Sequence, residues 1–317
     1  MRLLFITSNR LGDAVLSTSV LRHYVETYPG IRVTVACGPV AAPIFEAVPN
    51  LERIIKMPKQ KRGGHWWKLW KSVVLNWWDI IVDLRGSATA YVLPGWKRVV
   101  LRGNDDRVHR VEQMARLIGL TKPLFPKIWV GKEHRERAKS LLPSDDRKAV
   151  LAIGPTANWG GKTWPIDNFK QLVARLTSTD GLFPDAHVVV LGAPAEREIA
   201  ASLIEELPES RRTLIFGNES LLTVQACLEK VEAYIGNDSG LMHMAAASGT
   251  FTLGLFGPSR PENYAPYGLD TAYVCTDKRY DEIIADGIDW KSQKCLMTDL
   301  SVEKVIQEIY KRFEQKD

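Results

Sequence analysis

The residues that could carry chemistry sit where apolar runs break. In SNRLGDAVLSTSVL (8–21), the strand-like run RLLFIT gives way to an apolar helical pattern through Arg10, Gly12 and Asp13. A glycine lets the backbone bend there at little steric cost. A carboxylate at that turn can cap the helix, or it can be a base held at the mouth of a site. GNDSGLMHMAAASG (236–249) has the same logic. Asp238 or Ser239 caps a helix, and Gly240 lets the backbone approach a ligand. The amides of that helix start form an anion site suited to phosphate. A well-capped core helix, with Met242, Met244 and the alanines as packing, accounts for the same residues. His243, one turn in, reads by itself as a helix residue touching a neighbour rather than a ligand group. GPTANWGGKTWP (154–165) offers Thr156, Gly160, Gly161 and Lys162 before a helix beginning at Pro165. It lacks the GxxxxGK[ST] spacing of a Walker loop. A glycine loop with one Lys and one hydroxyl suits a diphosphate, and a plain surface lysine is the alternative.

These loops must be positioned by something regular. Short β-rich runs alternate with helical patterns twice over. In the first series strands are predicted at 2–7, 31–36, 52–56, 79–84 and 97–101, with helices near 12–28, 40–47, 65–77 and 109–118. The second places strands at 148–153, 186–191, 212–216, 231–235 and 251–256. Its helices are 165–178, 194–206, 220–229 and 240–247, with a closing helix over 301–315 that Ser301 caps. DIIVDL, HVVVLG and KAVLAIG are apolar throughout, as in parallel strands covered on both faces. Alternating βα units build doubly wound parallel sheets. The prediction is two Rossmann-like α/β domains, 1–145 and 146–317, separated by the Pro-, Lys- and Arg-bearing segment 120–147. In open α/β sheets ligands bind beyond the carboxyl ends of the strands. The loops above, with GAPAERE (192–198), all fall there, and a central cleft between the domains is the expected site.

Size and composition agree. The chain has 317 residues, 45% hydrophobic and 25% charged, ordinary for a globular protein. No apolar run reaches the ~18 residues of a membrane-spanning helix. The apolar opening is too short for a secretory signal, so a cytoplasmic location is expected. Cys37, Cys227, Cys275 and Cys295 are scattered, with no CxxC, which predicts reduced thiols and no bound metal. The net charge is only +5, but KMPKQKRGGHWWKLWK (56–71) gathers lysines and an arginine beside Trp66, Trp67 and Trp70. More positive charge follows in WKRVVLR and RVHR. An anionic partner in the first half is expected, and nucleic acid, lipid headgroups and acidic sugars all qualify; no nucleic-acid recognition motif accompanies the charge.

Taken together, NRLGDAVLSTSVL, WWDIIVDLRG, GPTANWGGKTWPIDNF, IGNDSGLMHMAAASG…LFGPSRPENYAPYG and KCLMTDLSVEKV resemble glycosyltransferase family 9. The family includes the ADP-heptose:lipopolysaccharide heptosyltransferases. The match runs through nearly the whole chain in order, and DSGLMHMAAA followed by FGPSRP is its most specific part. The resemblance implies a GT-B fold, two Rossmann-like domains facing a cleft, with the last helix often packing back on the first domain. It implies inverting, metal-independent transfer from a nucleotide sugar, ADP-heptose by the family's best-known members, with no cofactor. Asp13 would be the general base. Thr156 and Lys162 would contact the diphosphate, Asp238 the donor sugar, and Ser239 and Gly240 would offer amides to phosphate, with His243 in the same donor-side helix. Glu196 falls where the family holds the ribose, and 217–221 where it holds the base. Relatives carry a cysteine-rich stretch after GPYG. Here the insert DKRYDEIIADGIDW lies between Cys275 and Cys295 instead.

The chemistry of the residues agrees with those roles. A helix start favours a carboxylate at Asp13, which suits a base acting late in the loss of an acceptor proton. Helix-start amides and Lys162 are fixed donors for a departing diphosphate. The acceptor implied is a lipid-linked anionic glycan, the inner core of lipopolysaccharide, met by Arg10, Lys59, Lys61 and Arg62. An epimerase on the same architecture would need no acceptor, and a non-catalytic sugar-nucleotide binder would need no Asp13. In the 65–77 helix, Trp66, Trp70, Val73 and Trp77 follow the spacing of a buried face. Trp67, Val74 and Trp78 form a second stripe. Indoles beside lysines suit a headgroup region, so 59–71 is expected to meet the acceptor or the inner face of the inner membrane.

Overall fold

The computed structural model describes residues 1–145 and 148–314. The chain divides into two compact units, Met1–Gly131 and Lys132–Asp317. The first contains β1 (Arg2–Ile6), α1 (Leu11–Thr27), β2 (Arg32–Cys37), β3 (Leu51–Lys56), α2 (Gly64–Val73), β4 (Trp78–Asp83), α3 (Thr89–Val92), β5 (Gly95–Val100) and α4 (Arg110–Leu117). The second opens with α5 (Lys132–Leu141), β6 (Val150–Gly154), α6 (Ile166–Thr177), β7 (His187–Leu191), α7 (Arg197–Ala201), β8 (Arg212–Ile215) and α8 (Leu221–Leu228). It continues with β9 (Ala233–Asn237), α9 (Gly240–Ser248), β10 (Phe251–Phe256), α10 (Pro261–Tyr264), β11 (Thr271–Cys275), α11 (Tyr280–Ala285) and α12 (Val302–Glu314).

Each unit has one wholly parallel sheet, with strand orders β3-β2-β1-β4-β5 and β11-β10-β9-β6-β7-β8. The central strands read as continuous apolar runs because both faces are covered: Leu3 to Ile6 and Leu151 to Ile153 are fully buried. In each sheet the chain winds outward from the first strand, then returns to its other side. The strand order therefore reverses between β1 and β4 in one unit and between β6 and β9 in the other. Crevices for ligands open at the carboxyl ends of strands at such reversals.

Several expected elements differ. The helix expected at 65–77 ends at Val73, and its buried face is His65, Leu69 and Val73 at i, i+4, i+8. Trp77 lies beyond the helix and is 59% exposed, whereas Trp78 opens β4 and is fully buried. The stretch expected as a helix over 194–206 is α7 flanked by two 3₁₀ turns. The segment read as a linker, 120–147, contains α5, which packs on α8 and pairs Arg135 and Arg137 with Glu229 and Glu219. That packing is why the second unit begins at Lys132, ahead of the expected boundary at 145/146; residues 146 and 147 lie outside the described ones. The last helix, α12, buries Val302, Val305, Ile306 and Ile309 in the second unit's own core, with α6 and β11.

Candidate active site

In the first unit the turn after β1 is built to present Asp13. The N-cap of α1 is Arg10, whose side chain makes no cap bond, and Asp13 is the third helical residue. Asp13 is thus not the cap. Its Oδ2 accepts from the Ser8 hydroxyl at 3.3 Å, and the same Ser8 oxygen accepts from the Arg10 amide at 3.1 Å. Gly38 lets the end of β2 close on this turn: a Cβ there would lie 2.5 Å from Asn9 Cα. Asp13 lines a pocket of ≈ 80 Å³ with Ser8, Ser17, Arg85 and Arg110, and it is the one acid in that lining.

Arg85 comes from the turn after β4, on the other side of the strand-order reversal. That turn is held by Asp83, fully buried, whose carboxylate accepts from the Arg85 amide (2.9 Å), the Ser87 amide (2.9 Å) and the Ser87 hydroxyl (2.5 Å). Burial raises the Asp83 pKa, opposed by these bonds and by the Arg85 charge. The Arg85 guanidinium donates to Asn9 Oδ1 at 3.3 Å and stands 4.6 Å over the Trp66 ring. Arg110 opens α4 and donates to Gln113 at 3.0 Å. A small pocket with one carboxylate and two guanidinium groups can seat a hydroxyl beside a base while binding an anion on the same molecule.

In the second unit the loops after β6, β7 and β9 meet. Lys162 Nζ and Asp238 Oδ2 form an ion pair at 2.5 Å, with Asp238 only 7% exposed. Thr156 donates to Glu196 Oε2 at 2.6 Å, and the same oxygen accepts from the Ala193 amide at 2.7 Å. Asn237, fully buried, ties two of these loops: it accepts from the Trp164 amide (3.1 Å) and donates to the Pro155 carbonyl (2.8 Å). Ser239 is the N-cap of α9, accepting from Met242 N at 3.4 Å, which leaves Asp238 to Lys162. Gly240 is the first helical residue, and the helix closes on Gly249 in the left-handed conformation. The first-turn amides of a helix have no carbonyl partner ahead of them, so this end attracts an anion. Gly217 packs on Pro194, where a Cβ would fall 2.4 Å from Pro194 Cγ, so 217–221 borders the loop that carries Glu196.

The segment that follows the insert has a definite place. Trp159 Nε1 donates to the Ser292 carbonyl (2.7 Å), the Gly160 amide to Gln293 Oε1 (2.9 Å) and the Leu296 amide to the Gly161 carbonyl (3.1 Å). Cys295 Sγ meets the Thr163 carbonyl at 3.0 Å. Residues 290–297 therefore back the loop that presents Lys162.

A model of glycosyltransferase family 9 (heptosyltransferase) matches residues 106–283, more than half of the chain. The chain belongs to this family. It is similar to the lipopolysaccharide core heptosyltransferase OpsX of Haemophilus influenzae, 25% identical across 95% of this chain and 94% of that one. In fold it is similar to a glycosyl transferase family 9 structure from Veillonella parvula, with a TM-score of 0.78 and 19% identity, covering 99% and 97% of the two chains. It also matches the Escherichia coli ADP-heptose LPS heptosyltransferase II structure, with a TM-score of 0.74 and 20% identity over 100% and 99%. The family member is a glycosyltransferase, with the paired α/β units of the GT-B fold.

Among the residues expected from the sequence, the structure joins Thr156 with Glu196 and Lys162 with Asp238, and sets Ser239 and Gly240 at the start of α9. His243 is buried, 3% exposed, on the same helix. Arg10, Lys59, Lys61 and Arg62 are exposed and do not line the Asp13 pocket. Sequence reasoning missed Asp83, Arg85, Arg110, Asn237 and Gln293. Arg85 had a signal: DLRG follows an apolar strand as NRLGD does. Among the described residues no cluster of three or more His, Cys, Asp or Glu could hold a metal ion, and no helix is long and apolar enough to cross a membrane.

Proposed function

We propose that this glycosyltransferase moves a heptosyl group from ADP-heptose to the inner core of lipopolysaccharide, with inversion and without a metal or other cofactor. The Asp13 pocket carries the reading. A sugar hydroxyl seated beside Asp13 gives its proton to the carboxylate as the oxygen attacks the anomeric carbon. Arg85 and Arg110 bind acidic groups of the same acceptor, and Arg10, Lys59, Lys61 and Arg62 meet its more distant anionic parts. In the donor half, Lys162 and the start of α9 stabilise the charge that builds on the departing diphosphate, the role fixed donors serve best. Thr156 approaches the diphosphate, Asp238 the sugar and Glu196 the ribose. An epimerase has no use for an acceptor pocket with two guanidinium groups. The names of the similar proteins support heptose and lipopolysaccharide, and in this reading the transfer takes place at the cytoplasmic face of the inner membrane.

Asp13→Asn keeps the shape of the side chain and removes the proton acceptor. It is expected to lower kcat by ~10²–10⁴-fold, the usual worth of a general base. Binding of the donor nucleotide, read by calorimetry, stays at the wild-type value. Transfer within a few-fold of wild type overturns the assignment of the base.

A further inference from the structure

We propose that the face of the first unit covered by α2 and α3 docks on an anionic lipid bilayer, with a rim of exposed aromatic and aliphatic side chains entering the headgroup layer. Trp67 (56%), Leu75 (95%), Trp77 (59%), Tyr91 (48%), Val92 (62%) and Trp96 (83%) are all exposed. They are the outward neighbours of a single core cluster. Leu69, Val73, Trp78, Ala90 and Leu93 belong to its buried part, with Trp66 and Trp70 packed against it. Trp67 stacks on Trp70 at 4.8 Å, Tyr91 and Val92 lie between Ala90 and Leu93, and Trp96 follows Gly95, the strand partner of Trp78. Six large apolar groups around one cluster exceed the scattered exposure normal for a surface.

The charge around them selects the partner. Between Arg53 and Arg102 the sequence holds eleven Lys or Arg and only two acids, Asp79 and Asp83. The whole chain carries +5, so the remainder is net acidic. Asp79 is engaged by the Arg2 amide at 2.7 Å, and Asp83 is buried. Lys59, Lys61, Arg62, Lys68 and Lys71 are exposed on and just before α2. A two-fold contact with a second copy would bring this excess charge against itself. A nucleic acid would offer phosphate and bases to stack, but Leu75 and Val92 have no π-face and gain nothing from bases. Amphipathic indoles, aliphatic tips and flanking lysines fit the headgroup and acyl boundary of an anionic leaflet. The Arg85–Trp66 stack joins this face to the Asp13 pocket, so docking would present a lipid-borne acceptor near the base; that consequence, though not the binding, rests on the proposed function.

The test is co-sedimentation of the full chain with phosphatidylglycerol-containing and with purely phosphatidylcholine vesicles, at low and high salt. Binding to the anionic vesicles only, weakening with salt, is expected. Lys59→Glu/Lys61→Glu/Arg62→Glu should lower partitioning by at least ~100-fold, at about five-fold for each surface cation. Trp77→Ser/Trp96→Ser, at exposed positions, should lower it by about tenfold for the lost apolar burial while the melting temperature holds. Equal binding to both vesicle types, indifference to both variants, a dimer in light scattering that the Trp variant dissolves, or tighter binding to a single-stranded oligonucleotide each overturns the proposal. The Trp variant should also keep wild-type transfer to an acceptor stripped of its acyl chains. Loss of vesicle binding with that transfer intact isolates the membrane contact, whereas vesicle binding without any transfer would fault the proposed function instead.

Discussion

Lys162 and Asp238 are each other's counterion before they are anything else. Asp238 is nearly buried and Lys162 is 24% exposed, so the lysine keeps donors for a ligand while it neutralises the carboxylate. Removing one member leaves the other uncompensated, which costs about 3–5 kcal/mol when a buried pair is broken. Lys162→Met is therefore expected to lower both stability and affinity for the donor nucleotide, whereas Lys162→Met/Asp238→Asn regains most of the stability and none of the affinity. Thermal melts and calorimetry on the single and double variants read the two effects apart. Recovery of donor binding in the double variant would reduce the pair to a structural clasp. The residues of this site were legible in the sequence as types at loop positions. Their pairing was not: Thr156 and Glu196 are forty residues apart and meet only because β6 and β7 are neighbours in the sheet.

At the scale of elements, the loops depend on what stands behind them. Gly154 and Gly236 end β6 and approach the end of β9, and both make room for the Tyr234 phenol. A Cβ at 154 would lie 2.0 Å from its hydroxyl, one at 236 2.5 Å. Gly154→Ala should cost about 1–3 kcal/mol, as overpacking of a tight core does, and Tyr234→Phe in the same chain should return part of it. Denaturant unfolding of the single and double variants checks the recovery, and none at all would mean the clash is relieved elsewhere. Gln293, just after the insert, holds the Gly160 amide two residues before Lys162. Gln293→Ala is expected to raise KM for the donor a few-fold with little change in kcat, by loosening the loop and leaving the chemistry alone; an unchanged KM would free Gln293 from that role. Strongly apolar strands and capped helices were readable because their burial is written into every position. The elements that escaped have little to write with. In α5 only Ala138 is buried, so no apolar stripe marks the helix. The edge strand β11 buries Val274 alone among its five residues. The support that residues 292–296 give runs through main-chain groups and one side-chain amide, which residue type does not report.

For the whole molecule, each unit's core contains an imidazole kept from water. His65, 7% exposed, faces the core of the first unit, and His187, 7% exposed, opens β7 with its Nε2 2.8 Å from the Thr213 hydroxyl. Burial lowers both pKa values from 6.5, helped by Arg85 and Lys59 around His65 and by Lys148 and Arg211 around His187. A lowered pKa in the folded chain means that the unfolded chain binds protons first. The stabilisation is complete above pH 6.5 and is lost as pH falls through the lower folded values. The melting temperature should hold between pH 7 and 8 and decline below about 6.5, before most carboxylates titrate. Unfolding below pH 6.5 should take up protons at these two rings, measurable by calorimetry in buffers of different ionisation enthalpy. His187→Asn should reduce that uptake and flatten the decline, and an uptake of zero in the wild-type chain would show that neither ring resists charging in the folded state.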